Sequence, residues 1–407
     1  MNQLNIALTA ISLLILVVGL ISKPIRQSYV SDGVIALVVG ILLSPDALGW
    51  LDVTTWWGNR ETFIEEAARL TVAIGLMGVA LRVPRGYVSR QWKSLAVVLG
   101  LVMLLMWVIS GLLVYWLFDL PFWVAMLIGA IVTPTDPVVS TSIVTGVVAQ
   151  ENIPDRLHHF ISTESGLNDG LAYPFVLLPI LLLTRSPGEA LTHWLLNSVL
   201  WGVGAAVVVG ALLGYGTGRL LNWSEEKEII ERTSVLAYTV ALSLLAVAVV
   251  HLMGSDGILA VFVAGLSFDG IVNIKRREES ENIQEAVERF FTLPIFLLLG
   301  LILPWQDWFQ LGWKGLLLVI AILLLRRLPA VLALRPLIKP LHGLSDALFV
   351  GWFGPIGIAA LFYSHLALGR TGIREVWTIS SLLIVASILV HGMTATPLSR
   401  LYGKKTK

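Results

Sequence analysis

The chain has 407 residues, 56% of them hydrophobic and only 14% charged, with a mean hydropathy of +0.82 and a formal net charge of +1 at pH 7. Soluble domains carry nearer to about 25% charged residues, so a soluble enzyme is not expected, and no basic run is long enough to suggest a nucleic-acid partner. There is no cysteine, which removes disulfides and thiolate metal sites.

Apolar stretches long enough to cross a bilayer recur from end to end, and the alternating ten-residue strands of a membrane barrel are absent. The start, MNQLNIALTA, has no basic region or small-residue cleavage site and reads as the beginning of a retained first span. In chain order the predicted spans are about 5–22, 29–48, 62–82, 94–117, 121–148, 157–184, 192–221, 230–252, 257–272, 284–303, 315–334, 345–368 and 376–398. Thirteen spans leave short loops marked by SKP, RVPRG, RSPG and LPWQD. Taking the loops alternately, one side holds 19 Lys and Arg and the other 5, while Arg69, Arg289, Arg326 and Arg327 fall within or at the ends of spans. Lys and Arg mark the cytoplasmic side. The expectation is an N-terminus outside, a cytoplasmic C-terminus, and Trp50, Trp56, Trp57, Trp305, Trp308 and Trp313 in an outer interface belt.

The third span opens with Glu65, Glu66 and Arg69, read as an outer vestibule or a local ion pair. The fifth span carries IVTPTDPVVS at residues 131–140. Pro134 and Pro137 each lack an N–H, and each disfavours helix at the residue before it. The spacing predicts two half-helices joined by an unwound TPTDP, with Asp136 near the middle of the bilayer. Unwound backbone at that depth is tolerated only inside protein or against a wet cavity, and it recurs at transporter ion sites.

The sixth span carries STESGLNDG at residues 162–170. Asp169 lies at about the depth of Asp136, and Ser165, four residues earlier, shares its face. Glu164 points about 140° away, so the two acids are expected to have different tasks. Asn168 shares the face of Glu164 and is placed to bond either to it or to the pocket. A lone buried carboxylate is very costly, so Glu164 needs a cation, and Arg326 or Arg327 in the middle of the eleventh span can supply it. Pro329 is expected to loosen that helix. The adjacent His158 and His159, at the cytoplasmic end of the sixth span, read as exposed.

Small residues Gly257, Ala260, Ala264 and Gly265 suit close packing of the ninth span, and Asp256 is expected at the outer mouth. The twelfth span holds a second break, GWFGPIGIAALF, with Gly354, Pro355 and Gly357 at its centre. Breaks in the fifth and twelfth spans fit six spans repeated about a lone seventh, with a site at the repeat interface. Two carboxylates, hydroxyls and freed carbonyls form a hard-oxygen site for Na⁺, K⁺, Li⁺ or H⁺. Desolvation raises a carboxylate's proton affinity, so proton and metal ion compete for one place.

TPTDPV, ESGLNDG, FVAGL, FFTLPIFLLLG and GWFGPIGIA together resemble the NhaP-type sodium/proton antiporters of the cation:proton antiporter-1 family. The resemblance implies a single all-α membrane domain of about 13 helices with inverted repeats and two discontinuous helices. It implies a moving core (spans within about 62–184 and 284–398) and dimerisation elements (about 1–48 and 192–272), working as an elevator. It further implies a homodimer in the lipid of the cytoplasmic membrane, without a cofactor, serving pH homeostasis. By motif position Asp136 and Asp169 are similar to the Na⁺- or K⁺-binding acids, with Thr135, Ser165 and Asn168 around them, and Glu164 with Arg327 to a structural ion pair. The Asn168–Asp169 pair resembles that of electroneutral members. Gly354-Pro355-Ile356-Gly357 departs from the family's usual GPRG, so the arginine is missing at Ile356, and Arg326 is the candidate to compensate. The expected activity is electroneutral one-for-one Na⁺/H⁺ exchange. The alternatives are K⁺/H⁺ exchange on the same fold, or a cation channel or sensor, for which no continuous polar stripe is found.

Overall fold

The computed structural model describes all residues except 1, 29, 54–59, 138–146, 231–236, 273 and 407. The described residues form helices and connecting turns, with no strand among them. The principal helices are α1 (Asn2–Leu20), α2 (Asp32–Leu43), α3 (Arg60–Arg82), α4 (Trp92–Phe118), α5 (Phe122–Ile131), α6 (Asp155–Thr184), α7 (Pro187–Glu226), α8 (Tyr238–Leu252), α9 (Ile258–Asp269) and α10 (Ile274–Leu301). They continue with α11 (Trp305–Leu325), α12 (Leu328–Leu334), α13 (Leu344–Trp352), α14 (Ile358–Thr371) and α15 (Arg374–Thr406).

Each of the thirteen predicted ranges contains a helix, and the boundaries differ for physical reasons. Among the described residues six helices are long and apolar enough to cross a membrane by length and composition. The others are short, broken or charged at one end. Two of the longest, α4 and α7, carry π-helical turns at Val97–Val102 and Trp194–Val203. The eleventh span, expected from 315, begins at Trp305, with Gly312 in a left-handed conformation (φ +57°) at a kink inside it. That kink lets the polar segment around Asp307 and Lys314 join the helix. The belt tryptophans differ in burial. Trp50 and Trp313 are exposed, but Trp305 and Trp308 are half-buried, and the Trp308 indole N–H donates to the Thr378 carbonyl of α15 at 3.0 Å. Trp56 and Trp57, and the second half of the fifth span, lie outside the described residues.

The interior is built on α3, whose residues 71–81 are all buried. It packs against α9, α10 and α14, while α6 packs against α5, α9 and α14. Close approach depends on small residues. A Cβ at Gly210 of α7 would stand 2.5 Å from the Ala260 carbonyl oxygen, so α9 lies directly on the α7 backbone. Gly214 meets Ala264 in the same way. Outward faces are apolar: Leu8, Leu13, Leu16 and Leu20 on α1 and Phe309, Leu316 and Ile320 on α11 are exposed. An exposed aliphatic surface of this kind is what hydrocarbon accepts.

Candidate functional site

Helix α5 ends at Ile131, and residues 132–137 are unwound. Facing it, α13 ends at Trp352 and α14 starts at Ile358, with 353–357 extended between them. The two breaks bond to each other. The Asp136 amide donates to the Pro355 carbonyl at 2.8 Å, and the Ile358 amide donates to Asp136 Oδ2 at 2.5 Å. A carboxylate at one break thus caps the positive N-terminal end of the half-helix at the other. Gly357 makes this approach possible, because a Cβ there would overlap the Asp136 side chain.

The carbonyl ends of the breaks meet a cation. Arg326 donates through its two terminal nitrogens to the Val132 carbonyl after α5 and the Gly354 carbonyl after α13. Two half-helix C-termini, each a partial negative charge, therefore share one guanidinium. Arg326 and Arg327 form the interruption between α11 and α12 rather than the middle of a continuous helix, and Pro329 sits in the first turn of α12. The neighbouring guanidinium faces the other way. Arg327 pairs with both oxygens of Glu164, at 2.7 and 3.0 Å, and its Nε–H donates to the Val350 carbonyl at 3.0 Å. Both partners are buried, and the fork geometry satisfies both carboxylate oxygens at once.

From Glu164 the polar contacts run into the first break. The Asn168 side-chain amide donates to Glu164 Oε1 at 3.0 Å and to the Thr135 hydroxyl at 2.6 Å, and its oxygen accepts from the Thr135 amide at 3.1 Å. The hydroxyls of Thr135 and Ser165 are 3.1 Å apart. Asn168 therefore serves both roles that were open to it. Thr135, Asp136, Glu164, Ser165, Asn168, Asp169 and Arg327 are all brought together in the interior.

Asp169 differs from the rest. It is buried at 2% exposure, yet its Oδ1 has no hydrogen-bond partner, although buried polar atoms are nearly always bonded. The carboxylates acting on it are Asp136 and Glu164. Its own main-chain carbonyl accepts from the Tyr363 hydroxyl of α14 at 2.7 Å. Among the described residues no group of three or more His, Cys, Asp or Glu is placed to hold a metal. The oxygens gathered at the break belong to carboxylate, hydroxyl and amide groups.

Two expectations need correction. Asp256 is not at an open mouth but is 5% exposed and bonded to Tyr363, because left-handed Gly257 (φ +77°) turns the chain inward before α9. His158 is buried, since α6 starts at Asp155 and turns that side inward. Glu66 and Arg69 form the local ion pair. Sequence reasoning missed Tyr363 altogether, and nothing in its surroundings GIAALFYSHL marks it out.

Residues 11–401 match the family model of the transmembrane sodium/hydrogen exchanger. The chain is 31% identical, over 96% of its length, to Na(+)/H(+) antiporter 2 of Zygosaccharomyces rouxii, covering 52% of that protein. It is 32% identical, again over 96% of its length, to the Na(+)/H(+) antiporter of Saccharomyces cerevisiae, covering 43% of it. The chain thus spans about half the length of these curated relatives. Among solved structures it is similar to the sodium proton antiporter MjNhaP1 from Methanocaldococcus jannaschii, with a TM-score of 0.74, 18% identity and 99% of both chains covered, a likeness of fold.

Proposed function

The chain belongs to the sodium/hydrogen exchanger family, a multi-pass membrane family, and on that premise we propose that it exchanges a monovalent cation, Na⁺ first, for H⁺, one for one. The observation that carries this reading is the buried Asp169 carboxyl with an unpartnered oxygen, beside a second carboxylate already engaged by Ile358 N–H. A lone buried carboxylate needs either a proton or a cation. One position that accepts each in turn, and not both together, produces exchange when its access alternates between the two sides. Asp136, Thr135, Ser165 and Asn168 are the residues we assign around the cation, and Glu164 with Arg327 holds the frame. No cofactor enters the scheme.

We assign the core to residues 62–184 and 284–398 and the dimerisation elements to 1–48 and 192–272, with the core moving against the scaffold as an elevator. The assembly is a homodimer in the cytoplasmic membrane, N-terminus outside and C-terminus cytoplasmic, an orientation supported by the Lys and Arg asymmetry. The test uses purified protein in vesicles with a preset pH gradient. Addition of Na⁺ should collapse the gradient, and no collapse with Na⁺, K⁺ or Li⁺ would end the proposal. Run ion by ion, the assay also ranks Na⁺ against K⁺.

A further inference from the structure

Tyr363 is fully buried, and its hydroxyl touches two acceptors, the Asp169 carbonyl at 2.7 Å and Asp256 Oδ2 at 2.9 Å. A phenol has one proton to give. Both contacts are hydrogen bonds only if Asp256 is protonated: Asp256 then donates to the Tyr363 oxygen and Tyr363 donates to the Asp169 carbonyl. If Asp256 is ionised, Tyr363 must turn its proton to the carboxylate, and the bond to Asp169 is lost.

The surroundings of Asp256 let either state exist. Oδ1 accepts from the Ile258 amide at 3.1 Å, at the positive end of α9, which favours the ion. Arg69 of α3 and Arg370 of α14 act on it in the same sense, and the remaining titratable neighbours are Tyr363 of α14 and Tyr173 of α6. Burial opposes them. Gly254, two residues earlier, is exposed, so Asp256 lies close to the surface of the protein.

We propose that Asp256 is a second proton-binding carboxyl of the exchanger, whose charge decides whether Tyr363 donates its proton to the Asp169 carbonyl or to Asp256. This rests on the exchange reading above. In the division of that reading Tyr363 rides on the moving core, and Asp256 sits between α8 and α9 of the scaffold. The Tyr363–Asp256 bond therefore crosses the sliding boundary and must break in every cycle. A bond to an ionised carboxylate is roughly twice as strong as a neutral one, so ionised Asp256 latches the core and neutral Asp256 lets it move.

The experiment is ²²Na⁺ counterflow in proteoliposomes at equal pH on both sides, where no proton need be carried. The wild-type rate should fall on the alkaline side as Asp256 ionises. In Asp256→Asn, whose amide can donate to the Tyr363 oxygen, the alkaline fall should vanish. Tyr363→Phe, which cannot latch, should lose it too. An alkaline limb unchanged in both variants would overturn the proposal. An infrared pH titration of the detergent-purified protein, independent of transport, should show one carboxyl step in wild type that Asp256→Asn lacks. If counterflow fails for every cation but this step is present, the exchange reading has failed and the proton site has not. If the step is absent, Asp256 is only a helix cap.

Discussion

Ile358 N–H donates to Asp136 Oδ2 at 2.5 Å across 222 residues of sequence, so the carboxylate of one broken helix caps the half-helix at the other. Two interruptions that would each be unstable alone complete one another. N-terminal capping and fixing the two breaks together fall on one side chain, to which the proposed function adds cation ligation. Asp136→Asn keeps an oxygen for Ile358 but loses the charge. Charge-assisted hydrogen bonds are roughly twice as strong as neutral ones. The expected outcome is a folded protein whose apparent KM for the cation rises about tenfold or more, as loss of about 1.4 kcal/mol of binding implies. Wild-type cation dependence in vesicles would reduce Asp136 to a cap.

Gly357 tests the same contact from the other helix. A methyl group there would overlap the Asp136 carboxylate, which is short and has little room to retreat. Gly357→Ala should weaken cation dependence in the same direction as Asp136→Asn and lower the melting temperature as well. Gly343, where an added Cβ meets nothing within 4 Å, is the control, and its alanine variant should behave as wild type.

Much of this arrangement was legible in the sequence, and what escaped has one common cause. Pro134, Pro137 and the Gly354–Gly357 run announce broken helices because proline and glycine act on their own backbone. The separation of Glu164 from Asp169 follows from helical periodicity alone. Which arginine meets Glu164 does not, because that depends on how the chain rotates at the break between α11 and α12. Arg326 was visible as a misplaced charge, but its two carbonyl partners, Val132 and Gly354, come from distant segments. Asp256 looked like a loop acid until Gly257 turned it inward. Local chemistry reads from local sequence, whereas a contact made by three helices does not.

The Glu164–Arg327 pair invites a stability cycle. Removing one partner of a buried pair strands the other, at a cost of roughly 3–5 kcal/mol. Glu164→Ala leaves Arg327 with the Val350 carbonyl alone and deprives Asn168 of one acceptor. The double variant Glu164→Ala with Arg327→Ala should be more stable than the sum of the single losses allows. Melting by size-exclusion in detergent measures this, and strictly additive losses would mean that the pair is not coupled.

Arg326 should behave differently from its neighbour. It holds backbone carbonyls rather than a carboxylate, and hydrogen bonds to a charged group contribute roughly 1.5–3 kcal/mol each. Arg326→Lys keeps the charge but cannot present two parallel donors to two carbonyls. Partial stability with reduced exchange is expected from Lys, and a larger loss of both from Ala. Equal behaviour of Lys and Ala would show that charge at the crossing of the half-helices is irrelevant.

The stoichiometry follows from which groups are free to titrate. Asp136 accepts from the Ile358 amide, and Glu164 accepts two bonds from Arg327, so both carboxylates already have donors within the site. Asn168 has no proton to exchange, and it is already committed to Thr135 and Glu164. In the proposed exchange Asp169, with its unpartnered oxygen, is the carboxyl of the core left to alternate between a proton and a cation, while Asp256 stays on the scaffold and carries no proton across. Asp169→Asn should therefore abolish exchange in a correctly folded protein, and any retained cation-driven proton flux would remove Asp169 from the mechanism. In the proposed exchange, one proton for one cation moves no net charge. Moving a single net charge would couple to voltage by about 2.3 kcal/mol per 100 mV. Exchange in proteoliposomes with Na⁺ as the driving ion should then run at the same rate with and without a valinomycin-clamped potential. A steep dependence on voltage would mean that a second carboxyl carries a proton across, and Asp136 would be the first to substitute.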